Sequence, residues 1–243
     1  MQFRDYIFDS EILGRHMDIH VFGHFGTPII CFPSSMGRTD QFAGFGKMLD
    51  QIGDFVAGGK VKLYCVDGVD GDAWYNKYAH PGHRAWMAEL YDRHLMDEVV
   101  PFIYRDCWTD YIPITTAGCS FGAYHAVNAT LKHPWTFDRC IGMSGVYDVR
   151  DHADAYYDEN VYFNNPVDFI GGVGESDYLD QLRRTDIRLV CGRGAWEHPH
   201  LTEDFSRLLH SRGIPNWCDL WGHDVEHHWF WWRRQFRHHI EQM

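Results

Sequence analysis

The sequence predicts an α/β fold: a mostly parallel, doubly wound sheet flanked by helices on both faces. Three observations point there. Short apolar runs recur along the chain, each closed by turn residues. A helical pattern then follows, so strand and helix alternate as in a parallel sheet covered on both sides, and right-handed crossovers make that sheet doubly wound. The chain has 243 residues, with 45% hydrophobic and 23% charged, enough for one large core rather than two small ones.

The opening segment, Tyr6 to Phe25, alternates like a strand and is broken by Gly14 and by the Gly23 to Gly26 stretch. It reads as an antiparallel pair at the start of the sheet. Six apolar runs follow: Pro28 to Phe32, Val61 to Val66, Ile112 to Ala117, Cys140 to Met143, Ile187 to Cys191 and Asn216 to Leu220. Helical stretches lie between and after them, at about Gln41 to Ala57, Ala85 to Tyr104, Ala123 to Lys132, Thr202 to Arg212 and Trp229 to Glu241. In the second of these, Trp86, Leu90, Leu95, Val99 and Phe102 recur at helical spacing. Asp148 to Gly174 is polar and aromatic and too long for a simple loop. It reads as an insertion with short helices over the site, within a single domain spanning residues 1–243. No internal repeat, low-complexity tract or linker interrupts the chain.

The formal net charge is −12 at pH 7. So acidic a surface repels phosphate backbones, which excludes nucleic acid as a partner, although 17 histidines offset that charge near pH 5 to 6 where they are exposed. Seven cysteines, an odd number without a C-x-x-C pair, read as small buried hydrophobes in a reducing compartment. The amino terminus lacks the apolar core of a secretion signal, and no apolar run is long enough to span a bilayer. A cytoplasmic location is the expectation.

Ligands of such sheets bind beyond the carboxyl ends of the strands, so chemistry is sought after each run. After Ile112 to Ala117 comes Gly118-Cys119-Ser120-Phe121-Gly122, followed by a helical stretch. This is G-x-S-x-G between a strand and a helix, the nucleophile elbow of the α/β-hydrolase fold. The strained turn exposes the Ser120 hydroxyl, the glycines keep Cβ atoms out of the crowded turn, and the helix directs its positive end and free N–H groups at an anion. Phe121 is one expected oxyanion donor. The loop after the first parallel strand, Phe32 to Arg38, should give the second, through the N–H of Met36 or Ser35.

A triad on this fold runs in the order Ser, Asp or Glu, His, so the histidine lies after the last strand. His223, His227 and His228 compete there. The elbow, the Phe32-Pro33-Ser34-Ser35-Met36-Gly37-Arg38 loop and the terminal H-x-W-x-x-W together resemble the Putative esterase family, which includes S-formylglutathione hydrolase (esterase D), feruloyl esterases and mycolyltransferases. The resemblance covers most of the chain, and the tail motif is its more specific part. It implies that the base histidine stands immediately before x-W-x-x-W. In His227-His228-Trp229-Phe230-Trp231-Trp232 that residue is His227, with His223 as the alternative. Family members often carry Asp near the position of Ala195, and this chain does not. Glu197 is the nearest carboxylate on that loop, with Asp204 the runner-up.

Trp229, Trp232 and Phe236 fall on one helical face and read as packing for the last helix. Ser144, at the end of the fourth run, reads as structural, and Asp67 and Asp70 as a polar turn at the sheet's functional edge. The histidine groups do not make a metal site, since no H-E-x-x-H occurs. No G-x-G-x-x-G follows the first strand, and no cofactor is expected. The reading is a serine hydrolase that cleaves a small carboxylic ester or thioester through an acyl-enzyme on Ser120, with transfer to an alcohol as a variant. The departure at Ala195 leaves open a binding or scaffold protein on the same fold.

Overall fold

Which face a strand residue meets is decided by alternation, and here both faces are apolar. The computed structural model describes residues 2–243. Strand β1 (Phe3–Tyr6) is followed by a small hairpin, β2 (Asp9–Ser10) and β3 (Arg15–His16), and then by β4 (Ile19–Phe22). The parallel strands are β5 (Thr27–Phe32), β6 (Val61–Val66), β7 (Ile114–Cys119), β8 (Phe137–Met143), β9 (Asp186–Cys191) and β10 (Trp217–Leu220). Together they form an eight-stranded sheet in the order β1-β4-β6-β5-β7-β8-β9-β10, with β4 antiparallel to both its neighbours, β1 and β6, and the remaining pairs parallel. This is the antiparallel start and parallel body expected from the sequence.

On β5, Ile29 and Cys31 join one hydrophobic cluster while Ile30 and Phe32 join the other; on β6, Leu63 and Cys65 oppose Tyr64 and Val66 in the same way. Helices α1 (Leu49–Ala57) and α9 (Trp229–Glu241) cover the first face through Ile52, Val56, Trp232, Phe236 and Ile240. The other face is covered by α2 (Pro81–His94), α3 (Val100–Asp106), α4 (Phe121–Lys132) and α8 (Pro199–Ser211). Tyr91, Ile103, Val127 and Leu209 bury their side chains there. Each such large apolar side chain contributes roughly 1.5–3 kcal/mol of transfer free energy. Among the described residues no helix is long and apolar enough to cross a membrane.

Two helices differ from expectation. The stretch Gln41 to Ala57 is broken: a wide turn at Gln41–Phe45 ends at Gly46, Lys47 takes φ +50°, and α1 begins only at Leu49. The stretch Ala85 to Tyr104 starts earlier, at Pro81, where the His80 ring accepts the Gly82 N–H, and it runs on to Asp106 through a wide turn at Leu95–Val99. That turn carries an extra residue and shifts the buried face. Leu95 and Val99 are buried, but Trp86 is exposed and Arg84 and Asp92 lie inside. The buried charges are paired: Arg84 with Asp154, and Asp92 with Lys132 and His133.

The 148–174 segment folds into a tight turn at Arg150–Ala153 and the short helices α5 (Glu159–Phe163) and α6 (Pro166–Gly171). Helix α7 (Asp177–Leu182) leads into β9. From the 148–174 segment, the His152 ring packs at 5.1 Å from Tyr75 and 5.3 Å from Phe121.

Candidate active site

Backbone strain collects at the carboxyl edge of the sheet. Met36 after β5, Ser120 after β7, Ser144 after β8 and Trp196 after β9 all have positive φ without being glycine. Such a conformation costs on the order of 1–3 kcal/mol and persists only where its surroundings fix it. For Ser120 (φ 57°, ψ −125°) the fixing is visible. Its N–H donates to the Met143 carbonyl at 2.8 Å. A Cβ on Gly118 would stand 2.1 Å from the Gly122 carbonyl oxygen, and one on Gly122 would stand 2.4 Å from the Pro33 carbonyl oxygen. The elbow therefore closes only with glycine at both places, and that closeness brings the Pro33 loop against the start of α4.

The Ser120 Oγ lies 3.1 Å from Nε2 of His227. His227 Nδ1 lies 3.2 Å from Oε2 of Glu197. The loops bearing these two residues are laced together: Arg193 N–H donates to Gly222 O at 3.2 Å, Gly194 N–H to Val225 O at 2.8 Å, and His227 N–H to Ala195 O at 3.0 Å. The imidazole also stands edge-on to the Trp232 ring, with centroids 4.7 Å apart. Its plane is thus held from the backbone, from the carboxylate and from α9.

Glu197 is buried, its side chain 1% exposed. Burial alone would raise its pKa, but hydrogen bonds from His227 and Ser144 outweigh that and hold the carboxyl below its usual range. The Ser144 hydroxyl donates to Oε1 at 2.6 Å and accepts from the Trp232 indole N–H at 2.9 Å. The Gly192 N–H reaches Oε1 at 3.2 Å and the Cys191 thiol reaches Oε2 at 3.4 Å. Burial and the Glu197 charge push that thiol up to about 12, so it stays a protonated donor. Cys119, beside Ser120, is fully buried and its pKa is likewise raised by burial and by Glu197; it is not a competing nucleophile.

Of the competing residues, His223 is exposed, on the loop that packs against Gly194, and has no hydrogen bond to Ser120. His228 caps α9, its ring accepting the Phe230 N–H. Asp204 is exposed on α8 and pairs with Arg207. Phe121 opens α4, so its N–H has no intrahelical acceptor.

The expected Met36 donor needs correction. Its N–H is engaged at 3.0 Å by the Asp70 carboxylate. The Ser34 N–H is likewise taken by Gln41 Oε1 at 2.6 Å. Among the described residues, no acceptor takes the Ser35 N–H.

Ser144, read from the sequence as structural, thus supports the carboxylate that meets His227. Asp70, read as part of a polar turn, holds the loop beside the elbow. The only sequence signal for either was a place just past a strand's carboxyl end. A cavity of about 640 Å³ lies at the opposite edge between Thr27, Lys60, Lys62 and Arg139 and is lined by none of these residues. Among the described residues, no group of three or more His, Cys, Asp or Glu side chains could hold a metal ion.

Comparison with known proteins agrees with this architecture. A ferulic acid esterase structure is 17% identical with a TM-score of 0.76, covering 98% of each chain. The S-formylglutathione hydrolase FrmB of Staphylococcus aureus is 12% identical with a TM-score of 0.74, covering 99% of this chain and 98% of that one. MPT51 (FbpC1) of Mycobacterium tuberculosis is 14% identical with a TM-score of 0.69, covering 100% and 97%. At such identities the likeness establishes the α/β-hydrolase fold. No curated protein sequence matches the chain. The sequence model of the family described as Putative esterase matches residues 10–242. The chain therefore belongs to the Putative esterase family, whose chemistry is ester hydrolysis.

Proposed function

We propose that this protein hydrolyses a small carboxylic ester or thioester through an acyl-enzyme on Ser120. The observation that carries the reading is the unbroken contact series from the Ser120 hydroxyl through His227 to the buried Glu197. His227 Nε2 accepts the hydroxyl proton as Oγ attacks the substrate carbonyl. Glu197 holds the imidazole in the tautomer whose Nδ1 carries hydrogen and stabilises the imidazolium without taking its proton. The N–H groups of Phe121 and Ser35 receive the oxyanion; losing one such donor typically costs ~3 kcal/mol in the barrier. The imidazolium then protonates the leaving alkoxide or thiolate. Water, deprotonated by the same nitrogen, releases the acid and restores Ser120.

Hydrolysis of p-nitrophenyl acetate tests this. The wild type should turn over, and Ser120→Ala should lower kcat by about 10⁴-fold or more while KM changes little. Equal turnover by the folded Ser120→Ala variant would rule the mechanism out.

A further inference from the structure

Three side chains fix the loop beside the elbow. Gln41 holds Ser34 through both its N–H and its hydroxyl. Tyr75 meets the Ser35 hydroxyl at 2.8 Å, and its ring stands edge-on to Phe121 at 5.0 Å. Asp70 holds the Met36 N–H at 3.0 Å. Of the three amides, only that of Ser35 is left to bind an oxyanion.

Asp70 differs from the other two anchors in being a charge inside the protein. Its side chain is 1% exposed, and its second oxygen meets Nε2 of His125 at 2.7 Å. His125 lies one turn beyond Ser120 on α4. Its ring is stacked on Phe32 at 5.8 Å and stands edge-on to Tyr91 and Phe121 at 5.3 Å each. Those rings leave the imidazole no room to swing. Burying such a pair is expensive, and apolar residues of similar size often serve stability as well or better. What apolar residues cannot do is accept the N–H of Met36, whose backbone sits at φ +60°. A peptide in that conformation needs a tether, and the tether here is anchored to the helix that carries the nucleophile.

We infer that Asp70, clamped by His125, is the positioning residue of the oxyanion hole. It draws the Met36 amide away from the site and thereby presents the Ser35 N–H at a fixed place relative to Ser120. This rests on the acyl-enzyme reading above. It adds that the elbow and the second donor are joined through one buried carboxylate.

The test compares an oxoester with the matching thionoester, whose sulfur is a poorer hydrogen-bond acceptor, so the ratio of their rates reports on the oxyanion hole. In Asp70→Ala the oxoester kcat should fall about 10²-fold, as for loss of one donor, with KM little changed. The oxoester-to-thionoester ratio should fall about tenfold or more, and the acid limb of the pH–rate profile should stay in place because His227 and Glu197 are untouched. Asp70→Asn, whose amide oxygen still accepts, should recover much of the ratio. Asp70→Ala strands His125, so the double variant Asp70→Ala/His125→Phe, which removes both polar partners, is read beside it, each after a thermal melt. A folded variant lacking the carboxylate but keeping the wild-type ratio overturns the inference. So does a rate loss with the ratio unchanged, which marks a merely structural role. A wild type inert toward both esters overturns the acyl-enzyme reading itself, a separate outcome.

Discussion

At the scale of single residues, the proposed site is a serine, a histidine and a glutamate whose partners lie far off in the chain. Glu197 is held ionised by hydrogen bonds that outweigh its burial, so neutralising it should disable the imidazole. Glu197→Gln should lower kcat by about 10³–10⁴-fold, chiefly by favouring the wrong tautomer, as steady-state ester hydrolysis would show. Ser144→Ala leaves the Trp232 indole N–H buried without an acceptor and takes one donor from Glu197. It should cost about 1–3 kcal/mol of stability, measured by urea unfolding, and only about tenfold in kcat, since His227 keeps its partner. The elbow serine and the tail histidine could be read from motifs because those motifs are local. Ser144 could not, because its partners stand 53 and 88 residues away. Met36 was misjudged as a donor for the same reason: its acceptor, Asp70, is on the next strand's loop.

At the scale of elements, the sheet's carboxyl edge is assembled by close backbone approaches. A Cβ on Gly192 would stand 2.1 Å from the Val225 carbonyl oxygen, so the loops after β9 and β10 meet only across a glycine. Gly192→Ala should push the histidine loop outward and loosen the Glu197–His227 pair. Activity should fall at least ~10²-fold, with a lowered melting temperature, whereas an intact kcat in the folded variant would show that the lacing is dispensable. Strand positions were legible because buried strands are largely apolar, as the run Ile29, Ile30, Cys31 and Phe32 is. Helix registers were less so. The wide turn at Leu95–Val99 has no composition signal, and burial of Arg84 and Asp92 depends on the 148–174 segment and on α4 supplying their partners.

At the scale of the whole molecule, charge pairs join distant parts and give stability a pH dependence. Asp106 ends α3 and meets Arg4 of β1 and Lys62 and Tyr64 of β6. Burial opposes its ionisation, but Arg4, Lys62 and Tyr64 outweigh that and lower its pKa below the ordinary 3.8. Asp92 is lowered likewise, burial being outweighed by His133 and Lys132. A carboxyl whose folded pKa lies below its unfolded one stabilises fully above the unfolded value and loses that contribution as pH falls through the folded one. The urea midpoint should therefore fall as pH drops below 3.8. Asp106→Asn should be less stable than wild type at neutral pH, with the gap closing in acid; a gap constant with pH would contradict the assignment. The central claim also belongs to this scale, since it requires loops after β7, β9 and β10 to converge on one hydroxyl. Fluorophosphonate labelling followed by peptide mass spectrometry tests it most directly. One phosphonyl adduct on Ser120 is expected, lost in Ser120→Ala and strongly slowed in His227→Ala. A folded wild type that takes no label, or takes it at another residue, would contradict it.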